Sequence, residues 1–260
     1  MIFLTRTKFQ LPAVLSLLVM LGGCISTTTS VFTEEADPQK ALEERVSLAR
    51  QYIGEGNWEA AKRNLKIAYD IDPNNAQVHE AFALVYQSTG EYELAEENFK
   101  TAIKLDRNFS RARNNYAAFL FTQQRYKEAE EQLVYVVKDS LYTGRPLAFV
   151  NLGLCRVQLF DTQGAEEAFV RALAMDRTNQ IALLEMAQLR FDADDLLGAQ
   201  NYYATYRNVV RQQSARGLWL GVRLARKTGN RDAESSYVLA LASMYPNSPE
   251  YQAYQRTRDQ

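Results

Sequence analysis

Few side chains in this 260-residue sequence could perform catalysis or bind a metal ion: it has one histidine, His79, and two cysteines, Cys24 and Cys155. A catalytic triad or an HExxH zinc site needs several such groups that converge, and no second histidine can assist His79. The sequence contains no G-x-x-x-x-G-K-[ST], G-x-G-x-x-G or G-x-S-x-G motif. We therefore predict no enzyme, no metal ion and no cofactor, and a surface or packing role for His79.

The chemistry that the sequence does indicate is centred on Cys24. Residues 1–10 carry two basic residues and no acid, and the apolar segment 11–21 follows them. A helix that spans a bilayer needs about 20 apolar residues, so this pattern predicts a cleaved export signal. The last four residues of the signal, Leu21-Gly22-Gly23-Cys24, are similar to the bacterial lipobox, whose cysteine thiol takes a diacylglyceryl group before cleavage. A buried apolar helix that happens to end in cysteine is the alternative interpretation.

The lipobox predicts how the mature protein is attached to a membrane. Stable attachment needs more than one acyl chain, which a triacylated Cys24 supplies. Ile25 follows Cys24, whereas bacterial lipoproteins kept in the inner membrane usually have Asp at this position. We therefore expect the mature protein to be located at the periplasmic face of the outer membrane. We predict a signal peptide over 1–23 and a lipidated, flexible tether over 24–40, because these residues offer little that could pack.

Cys155 has no partner for an intrachain disulfide once Cys24 is acylated, so no disulfide framework is expected. Two interpretations of Cys155 stay open. It is either a free reactive thiol or a small apolar residue of a helix, and the second is the commoner case.

The charge of the chain bears on its partners. The formal net charge is -1, and removal of residues 1–23 deletes two positive charges, which leaves about -3. Because affinity for nucleic acids comes mainly from neutralised phosphates, this balance argues against a nucleic-acid partner. The absence of nucleotide-binding motifs likewise gives no reason to expect a small-molecule substrate.

An internal repeat determines the predicted architecture. Small residues recur at steps of 34, 34, 36, 34 and 34 residues, and a row of larger apolar residues keeps the same steps. This is the tetratricopeptide (TPR) pattern of paired antiparallel helices, in which a small residue faces a large one. The small residues are Ala61, Ala95, Ala129, Ala165, Ala199 and Ala233, and the larger ones are Leu65, Phe99, Leu133, Phe169, Tyr203 and Tyr237.

The predicted fold is therefore all-α: a right-handed superhelix of six TPR helix-turn-helix repeats over 41–247, closed by a short C-terminal capping helix within 248–260. Gly56 and Gly90 stand where the two helices of a repeat meet, and a helix C-terminus there favours a left-handed residue. The single step of 36 falls at residues 138–146, where we expect a longer loop between repeats. Paired glutamates such as Glu96-Glu97 recur after the small residue, which indicates a solvated helix face.

The remaining prediction is a surface that binds a protein. In TPR arrays the first helix of each pair lines the concave side, and apolar residues exposed there usually mark a partner site. Some of these positions could instead be covered by the superhelix itself or by the terminal helix. The apolar residues predicted to bind a partner, in a groove expected to be largely apolar, are Val46, Ile53, Leu84, Phe121, Val150, Leu154, Val157, Leu184 and Phe191.

Three longer stretches resemble one family beyond the generic repeat pattern. RARNNYAAFLF (111–121), DSLYTGRPLAFVNLGLC (139–155) and the segment 215–251 resemble the pilotin lipoproteins of type IV pilus biogenesis, the PilF/PilW family. The resemblance implies a lipoprotein that binds secretin subunits and promotes their localisation and multimerisation in the outer membrane. Only Cys24 corresponds to a functional residue of that family. A TPR lipoprotein that gathers cell-wall (peptidoglycan) enzymes at the outer membrane is the alternative function.

Overall fold

The computed structural model describes residues 37–258, so the predicted signal peptide and Cys24 lie outside the described residues. The described part is helical throughout, as predicted, and contains no strand. Its thirteen helices are α1 Pro38–Gly54, α2 Trp58–Ile71, α3 Ala76–Thr89, α4 Tyr92–Leu105, α5 Ser110–Thr122, α6 Tyr126–Val136, α7 Arg145–Gln158, α8 Thr162–Met175, α9 Gln180–Asp192, α10 Leu196–Val209, α11 Ala215–Lys227, α12 Arg231–Met244 and α13 Pro249–Arg258.

The helices form six pairs that stack in chain order. Each odd-numbered helix from α1 to α11 packs against the next helix, and the even-numbered helix of one pair also contacts the odd-numbered helix of the following pair. A pair therefore covers the apolar face of its neighbour, as the TPR pattern requires. We call α1, α3, α5, α7, α9 and α11 the inner helices, and α2, α4, α6, α8, α10 and α12 the outer helices.

Local sequence signals define where the helices begin. Asp37 accepts hydrogen bonds from the backbone N–H groups of Gln39 and Lys40, and Pro38 occupies the first helical position. These signals start α1 at Pro38, so the last three residues of the predicted tether (24–40) are helical instead of flexible. Short polar side chains cap seven further helices in the same way, and they are Asn57, Asn75, Asp161, Asn179, Asp195, Ser214 and Asn230.

The turns between paired helices share one backbone conformation. Gly56 and Gly90 have φ angles of +71° and +82°, which confirms the left-handed residue expected there. Gln124, Phe160 and Asp194 take the same conformation in repeats three, four and five, with φ near +60°. The turn geometry is thus kept where glycine is absent, although a side chain in this region costs about 1 kcal/mol or more.

The predicted packing rows form the core. Five alanines of the small row, from Ala61 to Ala199, have no exposed surface, and Leu65, Phe99, Leu133 and Phe169 of the larger row are equally buried. In repeat four the backbone of Gly153 lies directly against the ring of Phe169. Small residues therefore allow each helix pair to approach closely, as the repeat pattern predicted.

The sixth repeat departs from the predicted step of 34. The cap residues Asn179 and Ser214 of α9 and α11 are 35 positions apart, because one extra residue lies in the loop between α10 and α11. The caps Asp195 and Asn230 of the outer helices show the same shift. Ala233 is consequently displaced by one residue from the buried row and is only partly buried.

The longer loop expected at the step of 36 is present. Residues 137–144 separate α6 from α7, whereas four residues separate α4 from α5. The Nε of Arg145 donates a hydrogen bond of 2.8 Å to the carbonyl oxygen of Val137, and Tyr142 packs against the core formed by repeats two to four. The loop is therefore attached to the body of the superhelix at both ends.

A short helix closes the array, as predicted. The hydroxyl of Ser248 accepts a hydrogen bond of 3.2 Å from the backbone N–H of Tyr251 at the start of α13. This helix packs on α11 and α12, and Arg226 of α11 donates a hydrogen bond of 3.1 Å to Thr257. The last helix pair is therefore covered on the side where no seventh pair follows.

Candidate protein-binding surface

The inner helices line the concave side of the superhelix. Cross-repeat contacts between helices of the same kind run through them: α1 meets α3, α3 meets α5, α5 meets α7, and α9 meets α11. In a curved stack, helices on the concave side lie closer to each other than helices on the convex side. The inner helices, which contact each other across repeats, therefore lie on the concave side. The side chains that the inner helices direct away from their outer partners therefore form the floor of the concave surface.

The nine residues predicted to bind a partner are not equally accessible. Val46, Val150 and Leu184 are at most 8% exposed, so for these three the prediction is corrected: their side chains fill the core between helices. The reason is that each of them belongs to a buried cluster with residues of its paired outer helix and of the next inner helix. Six residues keep partial exposure and remain predictions: Ile53, Leu84, Phe121, Leu154, Val157 and Phe191.

Phe121 and Leu154 are brought together in one concave pocket. They line a hollow of about 190 Å³ between α5 and α7, together with Ala118, Thr122, Asn151 and Cys155. Its walls are mostly apolar, and Phe121 is held edge-to-face against Tyr126 with ring centroids 5.1 Å apart. We call this pocket the central hollow. It can accept an apolar side chain of a partner.

Cys155 forms part of the wall of the central hollow and is buried. Burial, aided by the nearby charge of Glu130, raises the pKa of its thiol to about 12. The thiolate is the nucleophilic form of cysteine, and almost none of it exists at neutral pH. Cys155 is therefore a small apolar residue of a helix, the commoner of the two interpretations.

A polar network lies on the N-terminal side of the central hollow. The carboxylate of Glu80 on α3 is fully buried and accepts hydrogen bonds from Arg50 of α1 and, at 2.6 Å, from Asn115 of α5. A second guanidinium, that of Arg111, has its Nε 3.7 Å from the same carboxylate. Three consecutive inner helices are thus joined through one acidic residue, since a buried carboxylate requires such partners.

A second network lies on the C-terminal side. Glu185 of α9 is 4% exposed and receives two hydrogen bonds from Arg216 of α11, at 2.6 and 3.0 Å. The guanidinium of Arg223 lies 4.3 Å from the ring centroid of Phe191 and donates to Asp192 at 3.2 Å. Phe191, a predicted partner-binding residue, is thereby covered on one face by a cation.

The groove expected to be largely apolar is therefore an apolar pocket flanked by two polar networks. Sequence reasoning missed these networks, although a spacing signal was present. The pairs Glu80–Arg111, Glu185–Arg216 and Asp192–Arg223 are each separated by 31 residues. In a repeat of 34 residues, this separation places the second residue about one turn earlier on the next inner helix.

The recurring glutamate pairs also differ from the prediction of a solvated face. Glu96 accepts hydrogen bonds from Arg125 at 2.8 Å and from the hydroxyl of Tyr116 at 2.9 Å, whereas its neighbour Glu97 is exposed. The hydrogen bond from Arg125 contributes most to lowering the pKa of Glu96 to about 2. The first member of this pair thus joins two repeats, and only the second is solvated.

The same arrangement explains two unusual arginines in the repeat pattern. Arg156 and Arg190 replace the tyrosines that earlier repeats have at this position. Arg156 donates a hydrogen bond of 3.0 Å to Glu130, and Arg190 donates to Glu166. Each arginine therefore joins an inner helix to the outer helix of the preceding repeat.

The single histidine, His79, has hydrogen-bond partners on both ring nitrogens. The ring nitrogens of His79 lie 2.9 Å from the side-chain oxygen of Asn98 and 2.9 Å from the carbonyl oxygen of Pro73, a structural role that joins two helices and a loop. Among residues 37–258, no three His, Cys, Asp or Glu side chains cluster as metal ligands would. Over that same range, none of the helices has the length and apolar character needed to cross a bilayer.

Comparisons with known proteins support the repeat assignment and extend it. A tetratricopeptide repeat family profile matches residues 76–109. Over 240 aligned residues the chain is 36% identical to the type IV pilus assembly protein PilF of Pseudomonas aeruginosa (strain PAO1). The aligned region covers 92% of this chain and 95% of that protein.

Solved structures agree with that similarity. A structure from the functional characterisation of Pseudomonas aeruginosa PilF has a TM-score of 0.81 and 37% identity, over 85% of this chain and 99% of that chain. The structure of PilW, described as a widely conserved type IV pilus biogenesis factor, has a TM-score of 0.73 and 26% identity. The match covers 83% of this chain and 99% of the PilW chain. The superhelix described above is thus shared over nearly the whole length of both solved chains.

Proposed function

Since this chain belongs to the PilF/PilW family of TPR proteins involved in type IV pilus biogenesis, we propose that it is a pilotin. In this role it binds subunits of the outer-membrane secretin through the concave surface of its superhelix. Binding promotes the localisation and multimerisation of the secretin in the outer membrane. The pilus is then extruded through the assembled secretin.

The observation that carries this proposal is the central hollow. It is an open, mostly apolar pocket on the concave surface, and Phe121 and Leu154 from two adjacent repeats line it. A water-accessible apolar pocket on a repeat scaffold gains free energy when a partner side chain fills it. The described surface offers a place to hold a polypeptide and no convergent groups to transform one, which supports a non-enzymatic role.

The proposed anchor is the acylated Cys24, which lies outside the described residues. It fixes the superhelix to the periplasmic face of the outer membrane. The lipid and the concave surface then have separate tasks. The lipid selects the bilayer, and the concave surface selects the polypeptide that is held beside it.

Affinity purification from solubilised outer membranes tests the proposal. A tagged full-length protein is expected to recover secretin subunits in stoichiometric amounts. Recovery of murein hydrolases without secretin would instead support the scaffold for cell-wall enzymes. An untagged strain processed in parallel controls for secretin that sediments with membrane fragments.

A further inference from the structure

The helix pairs leave two edges that run along the superhelix. The turns inside the pairs lie at one edge, and the loops that lead from one pair to the next lie at the other. We call them the turn edge and the loop edge. Every inner helix begins at the loop edge, and α1 does so at Pro38. The part of the chain that leads from Cys24 to the superhelix therefore joins it at the loop edge.

The two edges differ in charge. The six turns contain five acidic residues and one basic residue, whereas the six loops contain four of each. The turns are residues 55–57, 90–91, 123–125, 159–161, 193–195 and 228–230. The loops are residues 72–75, 106–109, 137–144, 176–179, 210–214 and 245–248. Phosphates make a phospholipid surface negative, so it repels the turn edge and does not repel the loop edge.

Four successive loops each present one basic side chain to solvent. Within residues 37–258 none of the four forms an ion pair. They are Arg107, Lys138, Arg177 and Arg211. The acids of the same loops are engaged, since Asp106, Asp139 and Asp176 each accept a hydrogen bond of 2.9–3.0 Å from a backbone N–H two residues ahead. The longer basic side chains extend past these acids and can reach phosphates.

The loop between α6 and α7 also projects an apolar side chain. Leu141 is 90% exposed, although the residues around it are held in place. The carboxylate of Asp139 accepts hydrogen bonds from the backbone N–H of Leu141, at 3.0 Å, and from the hydroxyl of Ser110, at 2.5 Å. Tyr142 packs against the core. The leucine is therefore presented outward by an ordered loop, and a contact that removes it from water gains free energy at little cost in ordering.

Other apolar side chains surround this edge. At the helix ends of the loop edge, six large ones are more than a third exposed: Ile71, Leu105, Leu147, Met175, Ile181 and Met244. The turn edge also exposes apolar residues, and Phe160 is 92% exposed. It stands among acids, however, with Asp161 next to it and Asp194 in the following turn. The loop edge alone combines apolar side chains with unpaired basic ones, the composition that suits the surface of a bilayer.

We propose that the loop edge docks on the phospholipid surface of the outer membrane, with Leu141 inserted among the acyl chains and the exposed basic residues of neighbouring loops at the phosphates. This inference rests on the proposed attachment through Cys24. One leucine binds lipid weakly, but a tethered chain meets the surface at a high effective concentration, so a weak second contact suffices. The contact fixes the orientation of the concave surface relative to the bilayer, which an acyl anchor at the end of a tether does not.

Site-specific fluorescence tests which edge faces the lipid. The protein is the mature full-length chain with Cys24→Ala and an N-terminal histidine tag. It is held on vesicles of phosphatidylethanolamine, phosphatidylglycerol and a nickel-chelating lipid. Leu141→Cys carries the environment-sensitive dye NBD, and Phe160→Cys, at an equally exposed position on the turn edge, is the matched control. The same protein without an added cysteine measures background labelling of Cys155.

The dye at position 141 is expected to shift to the blue and to be quenched about twofold by nitroxide-labelled acyl chains, whereas the dye at position 160 is not. Equal quenching of the two dyes, or none at position 141, would overturn the proposal. Shielding at position 141 by added secretin subunits and not by lipid would make the loop a protein contact, and the inference would be wrong. Because the nickel lipid replaces the acyl anchor, failure of the anchor itself is seen separately, as wild-type protein that does not fractionate with membranes.

A second probe leaves Leu141 in place. Ser140→Cys, at an exposed position of the same loop, carries the dye, and Leu141→Asp is added to it. The quenching is expected to fall about twofold, to the level of the dye at position 160, because a carboxylate must keep its hydration. Phe160→Asp is the matched control and should leave the quenching unchanged. Circular dichroism verifies that each variant is folded. Unchanged quenching in a folded Leu141→Asp protein would show that this leucine is not inserted.

Discussion

Gly153 on α7 lies directly against the ring of Phe169 on α8: a Cβ atom built on Gly153 would be 2.5 Å from that ring. Real side chains do not approach so closely, and Phe169 is fully buried. The interlock between the helices of repeat four therefore depends on the absence of a single methyl group.

Replacing Gly153 by alanine is expected to destabilise the protein by about 1–2 kcal/mol, because overpacking outweighs the better helix propensity of alanine. Urea unfolding followed by circular dichroism measures the change. Gly54→Ala is the matched control, since a Cβ there meets no atom within 4 Å and should leave stability unchanged or raise it by up to about 1 kcal/mol. Equal unfolding midpoints for Gly153→Ala and wild type would contradict the interlock.

Leu154→Glu places a charge in the central hollow, and it should abolish or strongly weaken secretin binding while the helices remain folded. The reason is that a carboxylate in an apolar pocket must lose its hydration when a partner side chain enters. Leu197→Glu, on the outer helix α10 where Leu197 is 71% exposed, is the matched control and should bind normally. Pull-down of secretin measures both. Unchanged binding by a folded Leu154→Glu protein would remove the central hollow from the site.

Cys24→Ala should yield a folded protein that is no longer attached to the membrane, because the thiol that accepts the lipid is missing. Membrane fractionation and immunoblotting measure its distribution, and secretin multimers are expected to decrease in the same strain. Normal multimers beside an unattached protein would show that the anchor is dispensable for assembly.

The stability of the superhelix should decrease in acid through Glu96. Its pKa of about 2 lies below the ordinary value of 4.5, so its ion pair with Arg125 contributes fully above about pH 4.5 and is lost as the pH falls towards 2. Because the pair is partly screened by water, we expect a contribution of about 1 kcal/mol. Glu96→Gln should flatten this part of the pH profile of urea unfolding, whereas Glu97→Gln at the exposed neighbouring position should not. Parallel profiles for wild type and Glu96→Gln would refute the assignment.

Cys155 should react slowly with thiol reagents in the folded protein, since its raised pKa and its burial both suppress the thiolate. In the Cys24→Ala background it is the one remaining thiol, so Ellman's reagent reports on it alone. The expected result is slow labelling at pH 8 and complete labelling in guanidinium chloride. Rapid labelling of the native protein would mean that the wall of the central hollow opens readily.

The fold could be predicted from the sequence because the small residues that pack the helix pairs recur at a regular spacing. Five alanines at the repeat spacing, from Ala61 to Ala199, are all buried, and the helix pairs follow from them. The sixth repeat was predicted less well, since matching Ala233 by residue type concealed one inserted residue between α10 and α11. Residue type alone does not show whether an alanine occupies the buried position of its helix or, like Ala233, the position next to it.

The surface was predicted in part, for a different reason. Phe121 and Leu154 line one pocket, as the repeat geometry implies, but Val46 and Val150 are buried among residues of their paired outer helix and of the next inner helix. The pairing of Glu80 with Arg111 was not predicted at all. It depends on the rotation between successive repeats, and counting positions along the sequence does not give that rotation. Positions along a helix are set by sequence, whereas exposure depends on how far successive hairpins rotate.

The carboxylates of Glu80 and Glu185 have a mechanical consequence. Glu80 is paired with Arg50 and Arg111, and Glu185 with Arg216, so each joins neighbouring hairpins on the inside of the curve, where uncurling the superhelix would separate the hairpins most. Uncurling therefore requires these bonds between inner helices to break. We therefore expect these two acids to oppose uncurling of the superhelix.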